Sequence, residues 1–146
     1  MEALDLAGYV VQKGIDDGKP VTNLQLLKIL YFIQLQSIKE TGSMIMPNAI
    51  FEAWRFGPVI TEVYYAYCLH GSMPIYRTEQ VRTIFKNVPD FVNKIIEKSR
   101  TMKTWQLVAL SHCTNGAWEK AYIPGRSNII RNSDMEIESR TFSMEA

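Results

Sequence analysis

The sequence predicts a mainly α-helical fold in a single compact domain, residues 1–146, built around one central apolar helix. Three observations support this prediction. Apolar residues recur at helical spacing in several segments. Glycines and prolines stand singly between those segments, where they end or begin helices. A chain of 146 residues has the usual length of one domain, and its sequence contains no repeat, linker or low-complexity segment.

The first two helices are predicted from apolar spacing and from end signals. The segment 3–17 places a set of apolar residues on one face and is ended by DDGKP. Thr22 and Gln25 have the spacing of a capping box, so the second helix is expected at about 23–41, ending before Gly42. Apolar residues cover most of its circumference, which indicates a buried helix at the centre of the fold.

Polar residues inside this second helix argue against a membrane span, because a span needs about 20 predominantly apolar residues. One of them, Lys28, would be costly to bury without a partner. Its charge is expected either to pair with Glu119 or Glu52 or to reach solvent along the stem of the side chain. The polar residues are Gln25, Lys28, Gln34 and Gln36.

The rest of the chain is predicted to combine a short strand pair with further helices. The strands are expected near 49–54 and 75–78. A third helix is expected from Pro58, as its first residue, to a glycine stop after His70. Later helices are expected from Pro89 to before Lys103, from a Thr104 cap, at the AWEKAY segment, and from a Ser133-Asp134 cap.

Composition argues against several classes of function. Sixteen basic and 15 acidic residues give a net charge of +1, which argues against nucleic acid as a partner. The first residues lack a secretory signal, which predicts a cytoplasmic protein. Cys68 and Cys113 lie far apart and are expected to be buried thiols, with no metal site and no cofactor. The single glycines form no phosphate loop.

The stretch AWRFGPV, residues 53–59, places bulky aromatics against Gly57 and Pro58 and has two interpretations. It can be a structural corner that inserts aromatics into the core, with Arg55 paired to an acid or to carbonyls at a helix end. Alternatively, Trp54 and Arg55 lie at an exposed groove, since these residue types are enriched at interface hot spots.

His112 beside Cys113 raises the question of a nucleophile and its base. Adjacent residues on a helix point about 100° apart, so the two side chains cannot easily form a hydrogen-bonded pair. His112 is instead expected to pack against Trp118 and to bond a backbone carbonyl. The sequence therefore predicts no catalytic residues, and a protein that is not an enzyme.

Three segments, taken together and in order, resemble the signature of the Panacea antitoxin domain, a family that includes SocA-like proteins and many phage-associated proteins. They are TNLQLLKILYFIQ, FEAWRFGPVITEVYYAY and LVALSHCTNGAWEKAY. The third departs from the family's pattern at Asn115-Gly116. The matching positions, which are the candidate toxin-binding or motif residues, are Trp54, Arg55, Gly57, Pro58, His112 and Trp118.

This resemblance implies a helical antitoxin of a toxin–antitoxin pair. Its partner would be a cognate toxin, encoded by a neighbouring gene and neutralised by direct binding or delivered to a protease such as ClpXP. Two alternatives stay open. One is a small enzyme that uses His112. The other is a prophage-encoded DNA-binding regulator that uses the basic residues between 77 and 100, namely Arg77, Arg82, Lys86, Lys94, Lys98 and Arg100.

Overall fold

The computed structural model describes residues 1–78 and 87–144, and its elements are mainly helices. Two strands follow the second helix, and a third, very short strand precedes the last helix. In chain order the elements are α1 (Ala3–Asp16), α2 (Asn23–Thr41), β1 (Phe51–Trp54), β2 (Gly57–Ile60), α3 (Thr61–Tyr67) with a 3-10 turn (Cys68–His70), α4 (Asp90–Arg100), α5 (Thr104–Ser111), α6 (Ala117–Ala121), β3 (Asn128–Ile129) and α7 (Asn132–Ser139).

Helix α2 is the centre of the fold, as predicted. It contacts α1, α3, α4, α5, α7 and β2. Every residue from 26 to 35 is buried, so the helix is enclosed on all sides over almost three turns. The capping box is present, because Thr22 Oγ1 accepts from Gln25 N at 3.2 Å and Gln25 Oε1 accepts from Thr22 N at 2.9 Å. Gly42 ends the helix with a φ of 75°, as expected for a left-handed cap.

The three strands form an antiparallel sheet in the order β2-β1-β3. The prediction of a short strand pair is confirmed for 49–54, but its expected partner at 75–78 is wrong. That segment contains no strand, and the backbone N–H of Ile75 instead donates to Val21 O at 2.8 Å. The partner of β1 is the segment directly after it, residues 57–60.

Pro58 lies in β2 and does not begin a helix, which corrects the sequence prediction. Arg55 and Phe56 reverse the chain, so Pro58 comes to lie opposite Ala53 in the hairpin. Strand β2 is at the sheet edge, where a residue without an N–H is tolerated. The helix starts three residues later, at Thr61.

The remaining helices lie close to the predicted positions, and the differences are at their first residues. Thr104 does not cap α5, because Lys103 holds that place and its backbone N–H donates to Gln106 Oε1 at 2.8 Å. Helix α7 begins at Asn132, one residue before the expected cap at Ser133. Within the described part of the chain, none of the helices combines the length and apolarity that crossing a bilayer requires.

Replacing Leu30 by Ala should lower the free energy of unfolding by about 2–5 kcal/mol, because it leaves a cavity at the centre of the molecule. Leu30 is fully buried in α2, whereas Leu69 is 97% exposed. Leu69→Ala is therefore the matched control and should cost less than about 0.5 kcal/mol. Equal losses for the two variants in urea denaturation would contradict the central position of α2.

Candidate functional site

The turn of the β1–β2 hairpin forms a ridge between two clefts. We call Trp54, Arg55 and Phe56 the hairpin ridge. One cleft, of about 370 Å³, lies on the side of α2 and α3, and the other, of about 480 Å³, lies on the side of residues 122–127. Both clefts are lined by Trp54 and Arg55. We refer to them as the α2 cleft and the α6 cleft.

Arg55 and Phe56 point outward, so the interpretation as a corner that inserts aromatics into the core holds for Trp54 but not for Phe56. The Phe56 side chain is 55% exposed. Arg55 is exposed, and it makes no hydrogen bond or ion pair with another described residue. Its guanidinium carbon stands 5.3 Å from the centre of the Phe56 ring. The pairing of Arg55 with an acid or with carbonyls at a helix end, which the corner interpretation expects, is therefore not found among the described residues.

Trp54, by contrast, is held in place by contacts on several sides. Its Nε1 donates to Glu52 Oε1 at 3.0 Å, and its ring lies edge-on to Tyr64 at 4.9 Å between centroids. Its carbonyl oxygen accepts from Trp118 Nε1 at 2.7 Å. The base of the ridge is thus fixed by the fold, while its tip is open to solvent.

Lys28 lies directly beneath the hairpin and is completely buried. Its Nζ donates to Pro58 O at 2.8 Å, so the expected pairing with Glu119 or Glu52 is wrong. Glu119 Oε1 instead accepts from the backbone N–H of Asn115 at 3.1 Å. Burial lowers the pKa of Lys28 to about 7, because a low-polarity environment disfavours the charged form.

Gly57 permits this close approach of the hairpin to α2. A Cβ at this position would lie 2.6 Å from Lys28 Cε and 2.7 Å from Ser111 Oγ. The φ of Gly57 is also 118°, a value that residues with a side chain rarely adopt. Gly57 and Pro58 are therefore motif residues that face inward.

His112 and Trp118 form one stack with Tyr122 behind the ridge. The His112 and Trp118 ring centroids are 3.5 Å apart with planes 6° from parallel, and Tyr122 stacks on Trp118 at 4.5 Å. The predicted packing of His112 on Trp118 is confirmed. The predicted carbonyl bond is not found, since His112 Nε2 is buried without a partner among the described residues. Burial is the larger cause that lowers the pKa of His112, and the nearby charge of Lys28 lowers it further.

Sequence reasoning missed Glu138, a buried carboxylate on the last helix. It is only 6% exposed, and its Oε1 accepts from Tyr31 OH at 2.6 Å and from the backbone N–H of Ala117 at 2.8 Å. Its Oε2 accepts from Cys113 Sγ at 3.4 Å. The polar sequence around it is typical of a surface helix, so no local pattern marks it.

The cysteines are half-buried, so the prediction of two buried thiols is corrected. Cys68 Sγ donates to Tyr65 O at 3.3 Å. Burial, and then the neighbouring Glu138, raise the pKa of the Cys113 thiol to about 11. Gly116 has to be small here, because a Cβ would lie 2.6 Å from Cys113 Sγ.

The structure thus places four of the six motif residues in two groups behind the ridge, Gly57 with Pro58 and His112 with Trp118. Trp54 forms the base of the ridge, and Arg55 lies apart at its tip. Of the basic residues between 77 and 100, Arg100 pairs with Asp17 at 2.9 Å, and Arg82 and Lys86 lie outside the described residues. Across residues 1–78 and 87–144, no group of three or more His, Cys, Asp or Glu side chains is placed to hold a metal ion.

Replacing Gly57 by Ala should lower the free energy of unfolding by about 3 kcal/mol or more, since it adds a clash with Lys28 to an unfavourable φ. Gly18→Ala is the control that separates the clash from the unfavourable φ. The φ of Gly18 is 69°, but a Cβ there meets nothing within 4 Å. Gly18→Ala should cost only about 1–2 kcal/mol. Equal losses in thermal or urea unfolding would contradict the close packing of the hairpin on α2.

Lys28 should make the protein more stable as pH rises from about 7 to about 8.5. As pH rises through this range, Lys28 in the folded state loses its proton, because its pKa there is about 7, while the unfolded chain still binds that proton. The rise should approach about 1.4 kcal/mol per pH unit. Above this range the Cys113 thiol lowers the stability of the protein as pH rises, because it loses its proton at a lower pH in the unfolded chain than in the folded state.

The measurement is urea unfolding of the parent and of Lys28→Met across this pH range. Lys28→Met should lose most of the pH dependence, whereas the exposed Lys19→Met should retain it. A parent protein whose stability does not change over this interval would mean that Lys28 stays charged in the folded state.

Comparison with known proteins places these features in a family. The chain is 27% identical over 131 residues to Antitoxin SocA of Caulobacter vibrioides strain NA1000 / CB15N, an alignment that spans 82% of this chain and 69% of that protein. No solved structure matches the chain. The sequence model of the antitoxin SocA-like, Panacea domain family matches residues 26–119, a span that includes most of α2, the hairpin ridge and the His112–Trp118 stack. Because this match covers more than half of the residues of the chain, the chain belongs to the antitoxin SocA-like, Panacea domain family.

Proposed function

We propose that the protein is an antitoxin that neutralises a cognate protein toxin by binding it directly through the hairpin ridge. Membership of the SocA-like family supports the antitoxin role, as does the likeness to Antitoxin SocA. The toxin would be the product of a neighbouring gene, and the pair would act in the cytoplasm.

The exposed tip of the ridge is the observation that carries this proposal. Arg55 and Phe56 present a cation and an aromatic ring to solvent, and Arg55 has no bonding partner among the described residues. Arginine and aromatic residues are enriched in the centres of protein interfaces. The clefts on both sides of the ridge can receive side chains of a partner. The ridge also lies within the span that the family model matches.

Binding without turnover is the form of activity that the buried groups favour. Lys28, Tyr31 and Cys113 have strongly shifted pKa values, and such groups are candidates for catalysis. Each of them, however, has a hydrogen-bond partner inside the protein that explains its position. His112 lies flat against Trp118, and none of the described carboxylates bonds its ring. These contacts favour structural roles over an enzyme that uses His112.

A second mode of action, delivery of the bound toxin to a protease such as ClpXP, requires the same first step. In both modes the toxin must dock on the antitoxin before it is neutralised or degraded. Purified components distinguish the modes, because direct neutralisation needs no protease.

Arg55→Ala should weaken toxin binding by at least about 2 kcal/mol, or roughly 30-fold in Kd, without changing the thermal unfolding of the protein. Stability should be preserved because Arg55 is exposed and unbonded within the described structure. The measurement is titration calorimetry with the toxin encoded by the neighbouring gene, accompanied by growth rescue in cells that express both proteins.

Lys19→Ala, which removes another exposed cation, is the control and should bind like the parent. Failure of the parent to rescue cells from this toxin would count against the antitoxin role. An Arg55→Ala variant that binds the toxin as tightly as the parent would move the interface away from the ridge.

A further inference from the structure

We propose that the two clefts beside the hairpin ridge bind an acidic segment of the partner protein, in which carboxylates flank a bulky apolar side chain. This inference rests on the proposed function, and it adds the chemistry of the partner's docking segment. The clefts lie on opposite sides of Trp54 and Arg55, so one extended segment can cross the ridge and reach both.

The charges that line the clefts are all positive. Among the described lining residues, the charged ones are Lys28, Arg55 and Arg126, and none is Asp or Glu. Arg55 and Arg126 are exposed and have no carboxylate partner within the described structure. The protein as a whole has a net charge of only +1, so this positive charge is a local feature. A cleft with one sign of charge attracts and orients a partner of the opposite sign.

The carboxylate of Glu52, close to the ridge, already has a hydrogen-bond partner. Glu52 Oε1 accepts from Trp54 Nε1 at 3.0 Å, which turns this acid toward the indole. The guanidinium groups of Arg55 and Arg126 are therefore open to carboxylates of a partner, and arginine can bind a carboxylate through two parallel hydrogen bonds.

The wall of the α2 cleft is apolar and suits a large side chain. Leu24, Leu27 and Val59 line it together with the rings of Phe56 and Tyr64. Its volume of about 370 Å³ falls in the usual range of ligand pockets. Lys28 Nζ donates to Pro58 O and so remains bonded to the fold. When it is protonated, it contributes positive potential to the cleft. An aromatic or aliphatic residue inserted here would be desolvated at the centre of the interface.

Single-stranded nucleic acid is the other ligand that combines negative charge with stacking surfaces. Such ligands need a basic groove that follows the phosphate backbone over several nucleotides. Here the exposed cations among the described lining residues are two arginines, Arg55 at both clefts and Arg126 at the α6 cleft, and the net charge of the chain is close to zero. These features favour a protein segment. Such a segment carries fewer negative charges than a phosphate backbone, and its apolar side chain fills the α2 cleft.

The test uses labelled probes and the full chain. The first probe is a fluorescein-labelled peptide, Asp-Glu-Asp-Phe-Leu-Asp-Glu-Asp. A second peptide has Lys in place of every acid, a third has Gly-Ser in place of Phe-Leu, and a labelled oligothymidine represents nucleic acid. Binding is measured by fluorescence anisotropy at low and at physiological salt.

The acidic Phe-Leu peptide should bind most tightly, and the double variant Arg55→Glu/Arg126→Glu should weaken it at least about 10-fold. The control is Lys19→Glu/Arg140→Glu, which makes the same change of net charge at exposed positions outside both clefts and should bind like the parent. Thermal unfolding confirms that both variants fold. If the first variant does not fold, Arg55→Gln/Arg126→Gln replaces it with the same expectation.

Three results would overturn the inference. The Lys peptide can bind as tightly as the acidic one, the first double variant can retain the parent's affinity, or oligothymidine can prove the tighter ligand and depend on the same arginines. Growth rescue separates this inference from the antitoxin role. A parent and a double variant that rescue equally would leave the antitoxin proposal standing and reject the acidic segment, whereas a parent that does not rescue would reject the antitoxin proposal.

Discussion

The fold depends on a helix that is buried on all sides and yet carries polar side chains in its buried part. Lys28, Tyr31 and Gln34 follow one another at intervals of three residues within α2. A buried polar group without a hydrogen bond is strongly unfavourable, so each must be met by a partner from another segment. Lys28 binds β2 through Pro58 O, and Tyr31 binds Glu138 on α7. Gln34 binds both the N–H and the carbonyl of Met46. These bonds fix the positions of three separate segments around the central helix.

The motif around Gly57 follows from this constraint. The hairpin must bring Pro58 O to within 2.8 Å of a lysine in the core, and this leaves no room for a Cβ at residue 57. Gly116 has a similar relation to Cys113, where the chain turns into α6. Most of the residues that resemble the family signature therefore act as the support of the ridge. Arg55 and Phe56 lie exposed at the turn beyond this support and are free to contact another molecule.

A rigid support is an advantage for a surface that binds a partner. The base of the ridge is held by the Trp118–Trp54 bond on one side and the Lys28–Pro58 bond on the other. A surface that already has its bound conformation loses little entropy on association, so more of the contact energy appears as affinity. The tip can thus consist of only two exposed side chains and still define where a partner docks. The clefts on its two sides supply the surface that the tip lacks.

Patterns within short stretches of the chain predict most of the helices, the central position of α2 and the family. The capping box at Thr22, the glycine stop at Gly42 and the apolar periodicity depend on residues a few positions apart, so they can be identified without a structure. The strand at residues 57–60 and the bond from Lys28 to a carbonyl are visible only in the folded molecule, since both depend on the segments packed nearby. The bonds of Lys28 and Tyr31 cross 30 and 107 residues of the chain. No local pattern carries that information, because a buried polar group specifies that it needs a partner but not which segment will provide it.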